Sequence, residues 1–280
     1  MGEFETLVPI RAKGNRAPLY CVHPISGSAY CYTGFARSLD AEQPVYGFEA
    51  PGFDDNRRPA TSVEDLSAEY VDVLREFRPH DPYYLLGWSM GGVVAFDMSV
   101  RLAGIGADVP LVILVDAAVP VRAETPAEKS MLRRFIHDLT GVSGTSASEV
   151  SELDSIFARF PDDADPDSLF ADTVRSGVLP IEIDAEFLQY RYTIFRSHIK
   201  ALFSYEISVK YHGPVLLIKA AESAPEFMRW DTVATDVEEH TIPGDHHSIW
   251  MGDSQEILSG IIRRRLDAAG RRRASSGIPR

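Results

Sequence analysis

Tyr83-Tyr84-Leu85-Leu86-Gly87-Trp88-Ser89-Met90-Gly91-Gly92-Val93-Val94-Ala95-Phe96 reads as a buried strand, a tight turn and the opening of a helix. Ser89 stands at the apex, with Gly87 and Gly91 two positions to either side in the G-x-S-x-G pattern of a nucleophile elbow. Such an elbow strains the backbone to lift a hydroxyl clear of the sheet, and a side chain at either glycine would collide. The helix behind it points its N-terminal amides at the reacting oxygen. Glycine and serine are common enough that the pattern arises by chance in about one chain in ten of this size. The apolar run before it and the small-residue helix start after it single this copy out, so Ser89 is the candidate nucleophile.

The flanking chain alternates strand and helix, which predicts an α/β fold with a largely parallel sheet. Leu7 to Arg11 and Leu19 to His23 read as a hairpin or two adjacent strands, and Val45 to Glu49 as a third. Ser62, with Asp65 three residues on, caps a helix whose apolar stripe runs from Val63 to Phe77, and Leu111 to Asp116 is a wholly buried strand. The alternation then breaks. Residues 117–212 read as consecutive helices with no strand, an insertion whose first helix has a capping box at Thr125-Pro126-Ala127-Glu128 and whose last, Asp184 to Leu202, is rich in aromatics. The sheet pattern resumes at Pro214 to Ala220 and at Val237 to Ile242, and a closing helix carries Ile257, Leu258, Ile261, Ile262 and Leu266. The expected division is a core of residues 1–116 and 213–267, the insertion, and a flexible basic tail over 268–280.

At 280 residues, 45% hydrophobic and 25% charged, the chain can bury a full α/β core. A net charge of -13 argues against a nucleic-acid or anionic-membrane surface, and the arginines of the tail read as a solvated terminus. The first sixteen residues lack the apolar stretch of a signal peptide, and no run approaches a membrane span, which points to the cytoplasm. Cys21 and Cys31, the two cysteines, read as buried thiols rather than a disulfide.

A serine hydroxyl needs a base within hydrogen-bond reach, itself oriented by a third group. On a hydrolase sheet of this kind the order along the chain is serine, acid, histidine. His23, His80, His137 and His198 come too early or lie in helices and the insertion; His212 precedes a strand and His240 lies within one. His246 and His247 remain, in the loop after the last strand, with His246 favoured by its Gly244-Asp245 lead. Two sites compete for the acid. Asp116 ends an unbroken apolar run, where an unpaired carboxylate would be costly, and Glu222 follows the next strand but reads as solvated. The Gly- and Ser-rich loop His23-Pro24-Ile25-Ser26-Gly27-Ser28 can turn the Ile25 amide into the site, beside that of Met90, as an oxyanion hole.

With these residues in hand the chain resembles the α/β-hydrolase thioesterase domains of nonribosomal peptide and polyketide synthetases. Leu7-Val8-Pro9-Ile10, Tyr20-Cys21-Val22-His23-Pro24, Val45 to Gly52, Leu86 to Gly92, Leu114-Val115-Asp116 and Gly244-Asp245-His246 carry the resemblance over almost the whole length. It implies Asp116 as the acid, His246 as the base and the insertion as a helical lid over a channel for a large, partly apolar chain. His247 stands where the family commonly has an aromatic or small residue. The resemblance also implies a Ser89 acyl-enzyme formed from a thioester on the 4'-phosphopantetheine of a peptidyl or acyl carrier protein, with no bound cofactor or metal, released by hydrolysis or macrocyclisation. The Leu7-Val8-Pro9-Ile10 start is what is expected just after a carrier domain, so the chain reads as the C-terminal domain of a longer synthetase. The rival readings are a stand-alone type II editing thioesterase or carboxylesterase, and a non-catalytic hydrolase-fold binding module.

Overall fold

The computed structural model describes residues 6–80, 82–143 and 147–275, and of residues 142, 143 and 147–150 only the backbone. Seven strands form one sheet: β1 (Leu7–Arg11), β2 (Leu19–Val22), β3 (Val45–Phe48), β4 (Tyr84–Trp88), β5 (Leu111–Val115), β6 (Tyr211–Ala220) and β7 (Ala234–Ile242). Their order across the sheet is β1-β3-β2-β4-β5-β6-β7, and every neighbouring pair is parallel except β1 with β3. The sheet is largely parallel, as the strand and helix alternation predicts. β1 and β2 do not form a hairpin; β3 separates them, because β2 takes its partners from β3 and β4.

Both faces of the central strands are covered, which is why they read as unbroken apolar runs rather than alternating ones. Leu85, Val112, Leu114, Val215 and Leu217 face helices α2 (Val63–Phe77) and α3 (Met90–Gly104). The intervening Leu86, Trp88, Ile113, Val115, Leu216 and Ile218 face α1 (Thr33–Ser38) and the closing helix α8 (Gly252–Ser275). Ser62 caps α2 by accepting from the Asp65 amide at 3.0 Å. Cys21 is buried in β2 and Cys31 half-buried, both free.

Between β5 and β6 lie α4 (Glu128–Ser143), α5 (Ala147–Ala158), α6 (Pro166–Ser176) and α7 (Ala185–Ser204). They share a core of their own, with Phe135, Phe170, Tyr192 and Phe195 in mutual contact. Tyr192 and Phe195 of α7 are spent on that core, since a helical layer outside the sheet has to bury its own apolar faces, while Phe187 and Tyr190 of the same helix are exposed. Three boundaries differ from the sequence expectation. α4 begins at Glu128, not at the Thr125 capping box, because the Glu128 carboxylate turns to the Tyr192 hydroxyl (2.7 Å) and Arg196 (2.8 Å) instead of back to the chain. β6 begins at Tyr211, inside the 117–212 span, where the Tyr211 amide donates to Val233 O at 2.9 Å. α8 runs on to Ser275 through the expected tail: Arg and Ala are good helix formers, and Arg273 pairs with Asp108 and Asp267 with Arg16. The first and last five residues lie outside those described.

Candidate active site

The sheet register sets the site. Trp88 pairs with Val115 and Val115 with Ile218, so Ser89 and Asp116 step off adjacent strands at one edge. Ser89 has φ 57° and ψ -128°, a conformation that side chains other than glycine's avoid. The Ser89 amide donates to Val115 O and the Gly92 amide to Ser89 O, each at 3.0 Å. A Cβ on Gly87 would run into the Gly91 carbonyl, and one on Gly91 into that of Val22. Ser89 Oγ has no hydrogen-bond partner among the described residues.

Asp116 is 2% exposed and also left-handed, with φ 45°. Its amide donates to Ile218 O at 2.7 Å, and its Oδ1 accepts from the Ala220 amide at 2.8 Å. Its Oδ2 accepts from Ser223 Oγ at 2.7 Å and from His246 Nδ1 at 2.6 Å. Burial alone would raise its pKa, but the bonds from His246, Ala220 and Ser223 outweigh it and hold the carboxylate below its usual range. A carboxylate only accepts, so His246 carries its proton on Nδ1, and Nε2 is the nitrogen left for other work.

The loop that brings His246 there is built by its neighbours. Gly244 has φ 105°, and Asp245 Oδ1 accepts from the amides of His247 (2.9 Å) and Ser248 (2.8 Å), closing a tight turn around the imidazole. The Trp88 ring lies 5.2 Å from that of His246. Ser89, Met90, Asp116, Ser223 and His246 line one cavity of about 310 Å³, and Val93, Leu202, Phe227 and Met228 make its remaining walls apolar. Met90 opens α3, so its N–H has no intrahelical acceptor. The Ile25 N–H donates to no acceptor among the described residues.

His247 and Glu222 stay apart from this group. His247 stands edge-on to Trp88 and His246, against Gly141 of α4, and its Nδ1 has no partner among the described residues. Burial, then the charge of His246, lowers its pKa. Glu222 is exposed, and its amide donates to Gly244 O at 3.0 Å. Two residues escape the sequence reading. Ser223, which buttresses Asp116, is one position beyond Glu222 with no local signal. Asp138 of α4 lies near enough to His246 for the imidazole to offset part of the rise, to about 6, that burial imposes on its carboxyl. Among the described residues no group of three or more His, Cys, Asp or Glu is arranged to hold a metal ion, and no helix is long and apolar enough to cross a membrane.

The family model of the thioesterase domain matches residues 17–266. Malpinin synthetase of Mortierella alpina is 42% identical over 131 residues, which is 47% of this chain and 2% of the synthetase. The probable nonribosomal peptide synthetase CymA of Salinispora arenicola is 26% identical over 271 residues, 95% of this chain and 3% of its own length. The chain thus spans a few per cent of these relatives. A four-domain nonribosomal peptide synthetase superimposes with a TM-score of 0.77 at 23% identity, covering 98% of this chain and 20% of that one. The type II thioesterase YbtT superimposes with a TM-score of 0.70 at 20% identity, covering 94% and 99%.

Proposed function

Because the chain belongs to the thioesterase domain family, we propose that it releases an acyl or peptidyl chain from the phosphopantetheine arm of a carrier protein through an acyl-enzyme on Ser89. The observation that carries this reading is the 2.6 Å bond from His246 Nδ1 to the buried Asp116, in the cavity that Ser89 also lines. His246 Nε2 takes the proton of Ser89 Oγ as the hydroxyl attacks the thioester carbonyl, and Asp116 stabilises the imidazolium without itself taking the proton. The amides of Met90 and Ile25, with the start of α3 behind the first, receive the oxyanion. A thiol of pKa about 8.5 then leaves, which asks less of the general acid than an amine would. In the second half His246 activates either water, giving a free acid, or a hydroxyl or amine of the chain itself, giving a ring.

Two relatives, the dimodular nonribosomal peptide synthase of Bacillus subtilis and CymA of Salinispora arenicola, carry a nonribosomal peptide synthetase name, which supports a carrier protein as partner. A stand-alone editing role draws on the likeness to two type II thioesterases, YbtT and BorB, at TM-scores of 0.70 and 0.69. The two are told apart by presenting short aminoacyl and full-length peptidyl chains on the same carrier protein: a releasing domain favours the long chain, an editing enzyme the short one. The basic reading is tested by incubating the protein with an acyl thioester and with a fluorophosphonate. Adduct on the Ser89 peptide, absent in Ser89→Ala, is expected; adduct on another residue in the parent protein refutes the assignment.

A further inference from the structure

Two buried imidazoles that the proposed chemistry does not use grip the backbone around Ile25. The peptide that carries the Ile25 N–H is the Pro24–Ile25 bond, and its carbonyl is held twice, by His23 Nδ1 at 2.7 Å and by the Gly27 amide at 3.0 Å. The carbonyl of the next peptide, Ile25 O, is held by His198 Nδ1 at 2.8 Å. His198 lies on α7, across 173 residues of sequence. A carbonyl only accepts, so each Nδ1 carries a proton. Both rings are fully buried and stacked, with centroids 5.1 Å apart and planes 13° from parallel. Burial pushes the His23 pKa down to about 3 and that of His198 to about 4, so both are neutral. His23 Nε2 lies 2.8 Å from the Tyr70 hydroxyl, and His198 Nε2 has no hydrogen-bond partner among the described residues. Among the described residues, the nitrogen of His198 that is engaged is the one on the Ile25 carbonyl.

We propose that His198 is a positioning residue of the oxyanion hole: with His23 it fixes both peptide planes that flank Ile25, so that helix α7 sets the direction of the N–H that receives the oxyanion. This rests on the reading of Ile25 as a donor in a Ser89 acyl transfer. Its physical basis is that a loop containing Gly27 at φ 89° is free to rotate its peptides unless their carbonyls are tied, and a misdirected donor loses most of its value. The Ile25 side chain adds to the grip, packing against both the sheet core and the core of the inserted helices. Docking of α7 and completion of the hole are then one event.

The test exploits the two ring nitrogens. In His198→Asn the side-chain amide nitrogen can stand near the position of Nδ1 and still donate to Ile25 O; in His198→Gln it stands nearer that of Nε2 and cannot. On the full chain, with an acyl N-acetylcysteamine thioester, the Asn variant should keep kcat within about 3-fold of the parent. The Gln variant should lose at least about 10-fold in kcat, part of the 10²- to 10³-fold that a whole oxyanion donor is worth, with KM unchanged. Equal kcat in the two variants, or a loss confined to KM, overturns the proposal. Should the Gln variant not fold, the amide proton of Ile25 is followed by NMR in the parent, His198→Asn and His198→Ala as Ser89 is phosphonylated. A downfield shift that the Asn variant keeps and the Ala variant loses supports the role; an equal shift in all three overturns it. A parent that is never acylated at Ser89 sinks the underlying function instead, whereas a parent that turns over normally beside indistinguishable variants sinks only the role of His198.

Discussion

Asp116 shows how far one side chain's environment decides its use. An acid at the end of an apolar strand is expensive unless every oxygen is engaged, and here Ala220, Ser223 and His246 engage both. Asp116→Asn should therefore lower kcat by about 10³- to 10⁴-fold, because the amide no longer holds the imidazole in the Nδ1–H form, while Glu222→Gln should stay within about 2-fold; steady-state kinetics on one thioester decides it. Ser223→Ala removes a single neutral donor and should cost about 10-fold or less. That Asp116 needs partners was readable from the apolar run that ends in it. Ser223 was not, since a serine in a polar loop looks the same whether it faces water or a carboxylate. At Gly87 the constraint is steric: in Gly87→Ala the new methyl meets the Gly91 carbonyl, and chemical denaturation should find the fold weakened by about 3 kcal/mol or more.

Helix α7 is the element with most at stake. It contributes the apolar face of a separate small core, the Leu202 wall of the cavity and the His198 bond to the loop after β2. Its existence was legible from helical spacing, but not the split among its aromatics: Tyr192 and Phe195 are buried among Phe135 and Phe170, whereas Phe187 and Tyr190 are exposed. Composition cannot tell a residue that lines a cavity from one that fills a core. The buried pair His23 and His198 makes the docking of α7 sensitive to acid. Their folded pKa values, about 3 and about 4, lie below the unfolded value of about 6.5, so as pH falls through this window the unfolded chain takes up protons first. Their contribution is complete above pH about 6.5 and is lost below it, by at most about 1.4 kcal/mol per pH unit for each ring. Thermal unfolding between pH 7 and 4.5 should show the midpoint falling, and falling less steeply in His198→Asn. A second consequence concerns the cavity: Leu202→Trp should depress kcat/KM for an octanoyl thioester at least about 10-fold more than for an acetyl one, since the added ring takes space only the longer chain needs.

Across the molecule, the parallel sheet does the assembling. Its register delivers the ends of β4 and β5 side by side, the β7–α8 loop closes over them, and the residues gathered come from chain segments more than a hundred positions apart. That convergence was legible because each strand announced itself and the order of strands is tightly limited. The boundaries were less so: α8 extends to Ser275 since its Arg273 finds Asp108 and its Asp267 finds Arg16, contacts invisible before the fold exists. The inserted helices bury their apolar faces mainly against one another, so hydrogen exchange should open α4 to α6 well before β4 to β6.

Two neighbouring imidazoles, His246 and His247, are candidates to take the proton of Ser89. Intact-mass measurement of acyl-enzyme formation with a thioester, followed in time for the parent, His246→Ala and His247→Ala, asks directly which one does. Acylation of Ser89 should slow by about 10³-fold or more in His246→Ala and by less than about 10-fold in His247→Ala. The reverse ranking would contradict the pairing of Asp116 with the working base.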